Sequence, residues 1–146
     1  MEWCRPARRT WLFCGVSDFK KLNVWRKAHG LAINSYECAR RMRPTIHSAL
    51  RNQIVRTSLS IPTNIVEGCG QKSGREFARF LGIALNSANE LEYHLMVARD
   101  IKAITTTDFA SLGSQTGEVR KMLHGLQTRV LERTQTAAPK RPDVVT

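Results

Sequence analysis

The stretch from Phe77 to Ala98 constrains this chain more than any other. Phe77, Leu81, Ala84, Ala88, Leu91, Leu95 and Ala98 recur in alternating steps of four and three, the period of a helix that packs one seam along its neighbours. The seam predicts a helix from Gly74 to Ile101, which at 1.5 Å per residue reaches roughly 42 Å. Ser73 and Glu76 ahead of it predict a capping box, each side chain satisfying a backbone N–H. Upstream lies SIPTNIVEGCG, Ser60 to Gly70, where Ile61, Ile65 and Val66 mark an apolar helix face. Pro62 removes a backbone donor inside that pattern and predicts a kink or a helix start. Gly68 and Gly70 are expected to stop the helix through a left-handed backbone. Neither side shows the alternation of a strand.

Three further seams complete the pattern. The first helix is expected from Leu22 to Met42 on Leu22, Trp25, Ala28, Ala32, Tyr36 and Ala39. Pro44 ends it, and Thr45 is the expected cap of a second helix from Ile46 to Glu67, with Leu50, Ile54, Ser58, Ile61 and Ile65 inward. Thr105, Thr106 and Thr107 with Asp108 mark a fourth start. That helix is expected to reach Arg133 on Leu112, Thr116, Val119, Leu123, Leu126 and Val130. A chain of 146 residues is one domain's worth. The expected fold is therefore all-α, an antiparallel up-down-up-down four-helix bundle over residues 18–133. Residues 134–146, with Pro139 and Pro142, are expected to be a disordered tail. Residues 1–17 are expected to be a disordered extension or a misassigned start, with Val16 as an alternative initiation point. The apolar patch from Trp11 to Val16 is too short for a signal core.

Charge is the unusual part of the composition. There are 23 Lys and Arg against 12 Asp and Glu, a net charge of +11. Such an excess favours a polyanionic partner. Residues 18–46 carry seven cations (Lys20, Lys21, Arg26, Lys27, Arg40, Arg41 and Arg43) against two acids, whereas residues 73–101 carry three against four. The first helix is thus the basic one. Its cations, with Lys72 and Arg75 near the third helix start, are the candidate nucleic-acid contacts. Cys4, Cys14, Cys38 and Cys69 form no CxxC pair. Reduced thiols, a cytoplasmic location and no membrane association are expected.

Chemistry-bearing motifs are weak. Gly68 to Ser73 imitates a phosphate loop, but Gln71 precedes Lys72 and no strand leads into it. Glu90, Glu92 and His94 lack the Glu-x-x-His spacing and the second copy of a ferritin-like metal site. Glu90 and Glu92 are read instead as partners for arginines on adjacent helices. No nucleophile stands beside a base, and Cys38 is read as a small packing residue. The expectation is no enzyme, no metal and no cofactor. Asn64, Glu67 and Arg56 (or Arg51) are expected to form a structural hydrogen-bond network. Trp25 is read as core or interface, on the first helix's apolar stripe.

Val24-Trp25, SIPTNIVEG at 60–68 and EFARFLGIALNSANELE at 76–92 together resemble one family. It is the four-helix-bundle family encoded in intervening sequences of bacterial large-subunit ribosomal RNA genes, related to the accessory variability proteins of diversity-generating retroelements. The resemblance runs from about Asp18 to about Arg133. It implies a homopentamer and places the phrase holding Asn64, Glu67 and Gly68 in a structural or subunit-contact role, beside which Pro62 is a further structural candidate. The expected activity is non-catalytic binding of nucleic acid, RNA foremost, through phosphate contacts. Two alternatives stand beside it: a protein adaptor, such as an accessory subunit of a reverse transcriptase, and a structural oligomer with no strong ligand.

Overall fold

In the computed structural model, which describes residues 18–137, each apolar seam becomes one helix. A short 3-10 helix, Phe19–Lys21, leads into α1 (Asn23–Arg41), followed by α2 (Pro44–Cys69), α3 (Gly74–Asp100) and α4 (Thr106–Ala137). The connections of two, four and five residues allow only a reversal of direction, so consecutive helices run antiparallel. α2 and α4 flank α3, and α1 closes the ring against both of them. Among the described residues there is no strand. The fold is an all-α four-helix bundle.

The seam of α3 is buried along its whole length, with Leu81, Ala84, Ala88, Leu91, Leu95 and Ala98 fully removed from solvent. Its alanines let neighbours approach, and its leucines fill the space between them. Ile54, Ile61 and Ile65 of α2 meet it from one side, and Leu112, Val119 and Leu123 of α4 from the other. Each fully buried leucine or isoleucine stabilises the bundle by about 1.5–3 kcal/mol. The inward face of α1 matches the expected stripe at Ala28, Ala32 and Ala39, with Leu22 and Trp25 packed against the core, and departs from it at Tyr36. Val24, Leu31, Ser35 and Cys38 complete its buried face, with Met42 buried just beyond the helix end, while Tyr36 is 50% exposed. Small Ser35 and Cys38 occupy the inward positions, and the bulkier tyrosine lies outside them.

Helix ends also differ from the expected ones. α2 begins at Pro44, not after a Thr45 cap, because proline at the first helical position loses only an N–H that has no partner there. The non-helical backbone in α2 lies at His47 (φ −112, ψ 19) and not at Pro62. Pro62 is buried inside the helix between Ile61 and Ile65, whose packing carries the helix through it. Gly70 ends α2 in a right-handed conformation (φ −78, ψ −6), its N–H directed at the carbonyls of Val66 and Glu67. Among the described residues the left-handed one is Lys102 (φ 59), between α3 and α4. Half of the capping box forms: Ser73 Oγ accepts from the Glu76 N–H at 3.1 Å, while the Glu76 carboxylate turns to Arg79. α4 continues to Ala137, so residues 134–137 of the expected tail are helical. The expectations for residues 1–17 and 138–146 lie outside the described residues.

Candidate nucleic-acid interface

Antiparallel helices gather distant parts of the chain at each end of the bundle. One end holds the 3-10 helix, the start of α1, the α2–α3 turn and the C-terminal half of α4. Lys20, Lys21, Arg26, Lys72 and Arg75 all lie there and are exposed. None of them pairs with a described carboxylate. Arg26 Nε donates to the Lys20 carbonyl at 3.0 Å, which holds the guanidinium against the 3-10 helix. Four of the seven cations expected on or beside the first helix are thus free of acidic partners, counting Arg43 just before α2. The other three are paired: Lys27 with Glu118 (3.1 Å), Arg40 with Glu37 (2.9 Å) and Arg41 with Asp108 (2.9 Å). Pairing leaves them exposed but offsets their field locally.

Two cations absent from the sequence expectation join the unpaired set. Lys121 and Arg129 project from α4 across from Lys21 and line one open groove with it. The signal was available in register: positions 121 and 129 are eight apart, about two turns, and both fall off the Leu112–Thr116–Val119–Leu123 seam. Counting charge along the first helix alone passed over them. A second groove, of about 300 Å³, lies between α1 and α2 beside Tyr36, Arg40, Arg51 and Arg56. There Arg51 Nε donates to the Ala39 carbonyl at 2.9 Å and ties α2 to the end of α1.

The expected network of Asn64, Glu67 and Arg56 does not assemble. Arg56 donates to Gln53 Oε1 at 2.8 Å and pairs with Glu90 of α3 at 3.7 Å. It stands eight residues before Asn64, roughly 12 Å along the axis, too far for a shared hydrogen bond. Asn64 Nδ2 instead donates to the Ser60 carbonyl (2.8 Å) and Ser60 Oγ (3.1 Å), and Ser60 bonds Ser87 of α3 at 2.8 Å. The carboxylate of Glu67 is exposed, and the residue's recorded bonds run through its backbone carbonyl. Gly68 has a tighter role. A Cβ there would lie 2.7 Å from Phe77 Cδ2 and 3.0 Å from Phe80 Cβ, so the glycine lets α2 and α3 meet below the turn.

Glu92 pairs with Arg120 of α4, so Glu90 and Glu92 both face arginines of adjacent helices. Trp25 is half-buried against the core, with His29 stacked on it (5.1 Å, 13° between planes) and Phe19 edge-on at 4.9 Å. The chain's own aromatics thus occupy positions that an incoming base would take. Burial pushes the Cys69 thiol up to about 11 and raises Cys38 as well, so neither is an activated nucleophile. Burial lowers the pKa of His94, whose Nδ1 is enclosed without a hydrogen-bond partner. Among the described residues no three His, Cys, Asp or Glu side chains are grouped to hold a metal ion. No described helix is long and apolar enough to cross a membrane.

Residues 20–125 match the family model of the 23S rRNA-intervening sequence protein. The chain belongs to that family. Lys121 falls within the matched span and Arg129 just beyond it. Comparison with curated proteins finds no match. Among solved structures, the chain is similar to a protein of unknown function from the S23 ribosomal protein family of Bacteroides thetaiotaomicron VPI-5482. The two are 27% identical with a TM-score of 0.67, over 71% of this chain and 97% of the other. The family and the bundle are established by these matches. They assign no ligand.

Proposed function

We propose that this intervening sequence protein binds nucleic acid, RNA foremost, without catalysis and through phosphate contacts. The observation that carries the reading is the gathering of unpaired, exposed cations at one end of a bundle whose net charge is +11. Each phosphate contact releases a condensed counterion, so affinity grows with the number of cations that reach the backbone. Lys20, Lys21, Arg26, Lys72 and Arg75 are free to make such contacts. Arg40 and Arg41 must first leave Glu37 and Asp108. In the expected homopentamer the same end would recur five times. One strand held by several subunits would gain avidity without any new type of contact.

A salt series tests this with the full chain and a structured RNA. The logarithm of affinity is expected to fall linearly with the logarithm of salt, by about 0.9 per duplex phosphate neutralised. Charge reversal at Lys20, Lys21 and Arg26 is expected to flatten that line more than reversal at Arg40 and Arg41. Absence of binding at low salt overturns the proposal.

Exposed Ile33, Tyr36, Leu59, Tyr93 and Met96 favour a second reading, in which the bundle is an adaptor for a protein such as a reverse transcriptase. A reverse transcriptase gene beside this one, with co-purification of the two proteins, would support it. Self-association through these residues would support the structural-oligomer alternative.

A further inference from the structure

The seam between α1 and α4 changes character along its length. From the α1 C-terminus downward it is bridged by Arg41–Asp108, Asn34–Gln115 (2.8 Å) and Lys27–Glu118. Below Lys27 the bridges stop and the seam opens into a groove of about 460 Å³. Its rims carry Lys21 on one side and Lys121 and Arg129 on the other, all exposed. None pairs with a described carboxylate, and no acidic residue lines the groove. The floor is different in kind: Leu22, Met122 and Leu126 pack against the core and remain partly open to solvent. Gly125 keeps the wall low, with no neighbouring side chain over its Cα.

We infer that this groove binds an unpaired nucleotide of a single strand, its phosphates on Lys21, Lys121 and Arg129 and its base over Leu22, Met122 and Leu126. The inference rests on the nucleic-acid reading and names the form of nucleic acid that fits. Cations alone would accept any polyanion. Cations on both rims of an apolar floor match a ligand with charge at its edges and a flat, weakly polar body between. A nucleotide in a single strand presents both features. A duplex presents the phosphates but keeps its base faces stacked inside. The volume is in the range of a small-molecule pocket, a scale suited to a nucleotide unit. Apolar contact with the face of a base tolerates every base, so little sequence preference is expected.

The test uses the full chain, a ten-nucleotide single strand and a blunt duplex of the same sequence. In K121A/R129A, single-strand affinity is expected to fall at least tenfold, and its salt slope to become shallower by about 1.4, two contacts at 0.7 each. Duplex affinity is expected to change less than twofold, and R40A/R41A to leave both within threefold. K121R/R129K, which keeps the charge, is expected to retain most single-strand binding. The inference is overturned if K121A/R129A leaves single-strand binding intact, or weakens strand and duplex alike, while the unaltered protein still binds. If the unaltered protein binds neither probe at low salt, the proposed function fails too.

Discussion

A methyl group at position 68 would press into the Phe77 and Phe80 side chains, whereas one at position 113 on α4 would meet nothing within 4 Å. Gly68→Ala is therefore expected to destabilise the bundle by about 1–3 kcal/mol. Gly113→Ala is expected to stabilise it by about 0.5–1 kcal/mol, through the better helix propensity of alanine. Denaturant melts of the two variants check the pair, and equal effects would remove the clearance role assigned to Gly68. His94 supplies a pH dependence. Burial disfavours its charged form, Arg56 adds to that, and Glu90 opposes it. The folded protein binds this proton less readily than the unfolded chain does. The stability tied to the neutral imidazole is therefore complete above about pH 6.5 and is lost as pH falls through the lowered folded pKa. His94→Gln is expected to flatten the stability profile between about pH 7 and pH 5, and an unchanged profile would assign the acid loss to other groups.

Seams rather than single residues decide how the helices lie. Ser35 occupies an inward position of α1, fully buried, with no partner for its hydroxyl. Ser35→Ala is expected to raise stability by about 1 kcal/mol, since it removes an unsatisfied polar group and little volume. A loss on thermal or denaturant unfolding would mean that the hydroxyl has a partner after all. The α3 seam is readable because leucines, alanines and a phenylalanine fill nearly all of its inward positions, Ser87 being the polar exception, so hydrophobicity and geometry agree. On α1 they disagree at one position. Tyr36 is among the helix's largest side chains, yet it is exposed while the smaller Ser35 and Cys38 face the core, so a reading weighted by side-chain size errs there. The cations of the candidate interface divide in the same way. Lys20, Lys21 and Arg26 stand out in the local sequence. The pairing of Lys27 with Glu118 and of Arg41 with Asp108 depends on how α1 meets α4, which no local pattern encodes. The groove needs two segments about a hundred residues apart, so it emerges only once the ring of helices is closed.

At the scale of the whole molecule, the same charge acts in opposite directions on stability and on binding. A net charge of +11 repels itself in the folded state. Raising the ionic strength from low to physiological values is expected to raise the melting temperature by a few degrees while weakening RNA binding. Melting and binding measured in the same buffers check this, and parallel trends would count against a phosphate-driven interaction. The short connections carry a kinetic consequence as well. α1 against α2, α2 against α3 and α3 against α4 all join neighbours in the chain, and such contacts need little loop closure to form. Only α1 against α4 brings the two ends of the described chain together, along a rim bridged by two ion pairs, each worth about 0–1 kcal/mol, and the Asn34–Gln115 hydrogen bond. Folding is therefore expected to form the neighbouring helix pairs first and to close α1 against α4 last. In native-state hydrogen exchange, the amides of α1 would then open and trade deuterium well before those at the centre of α3.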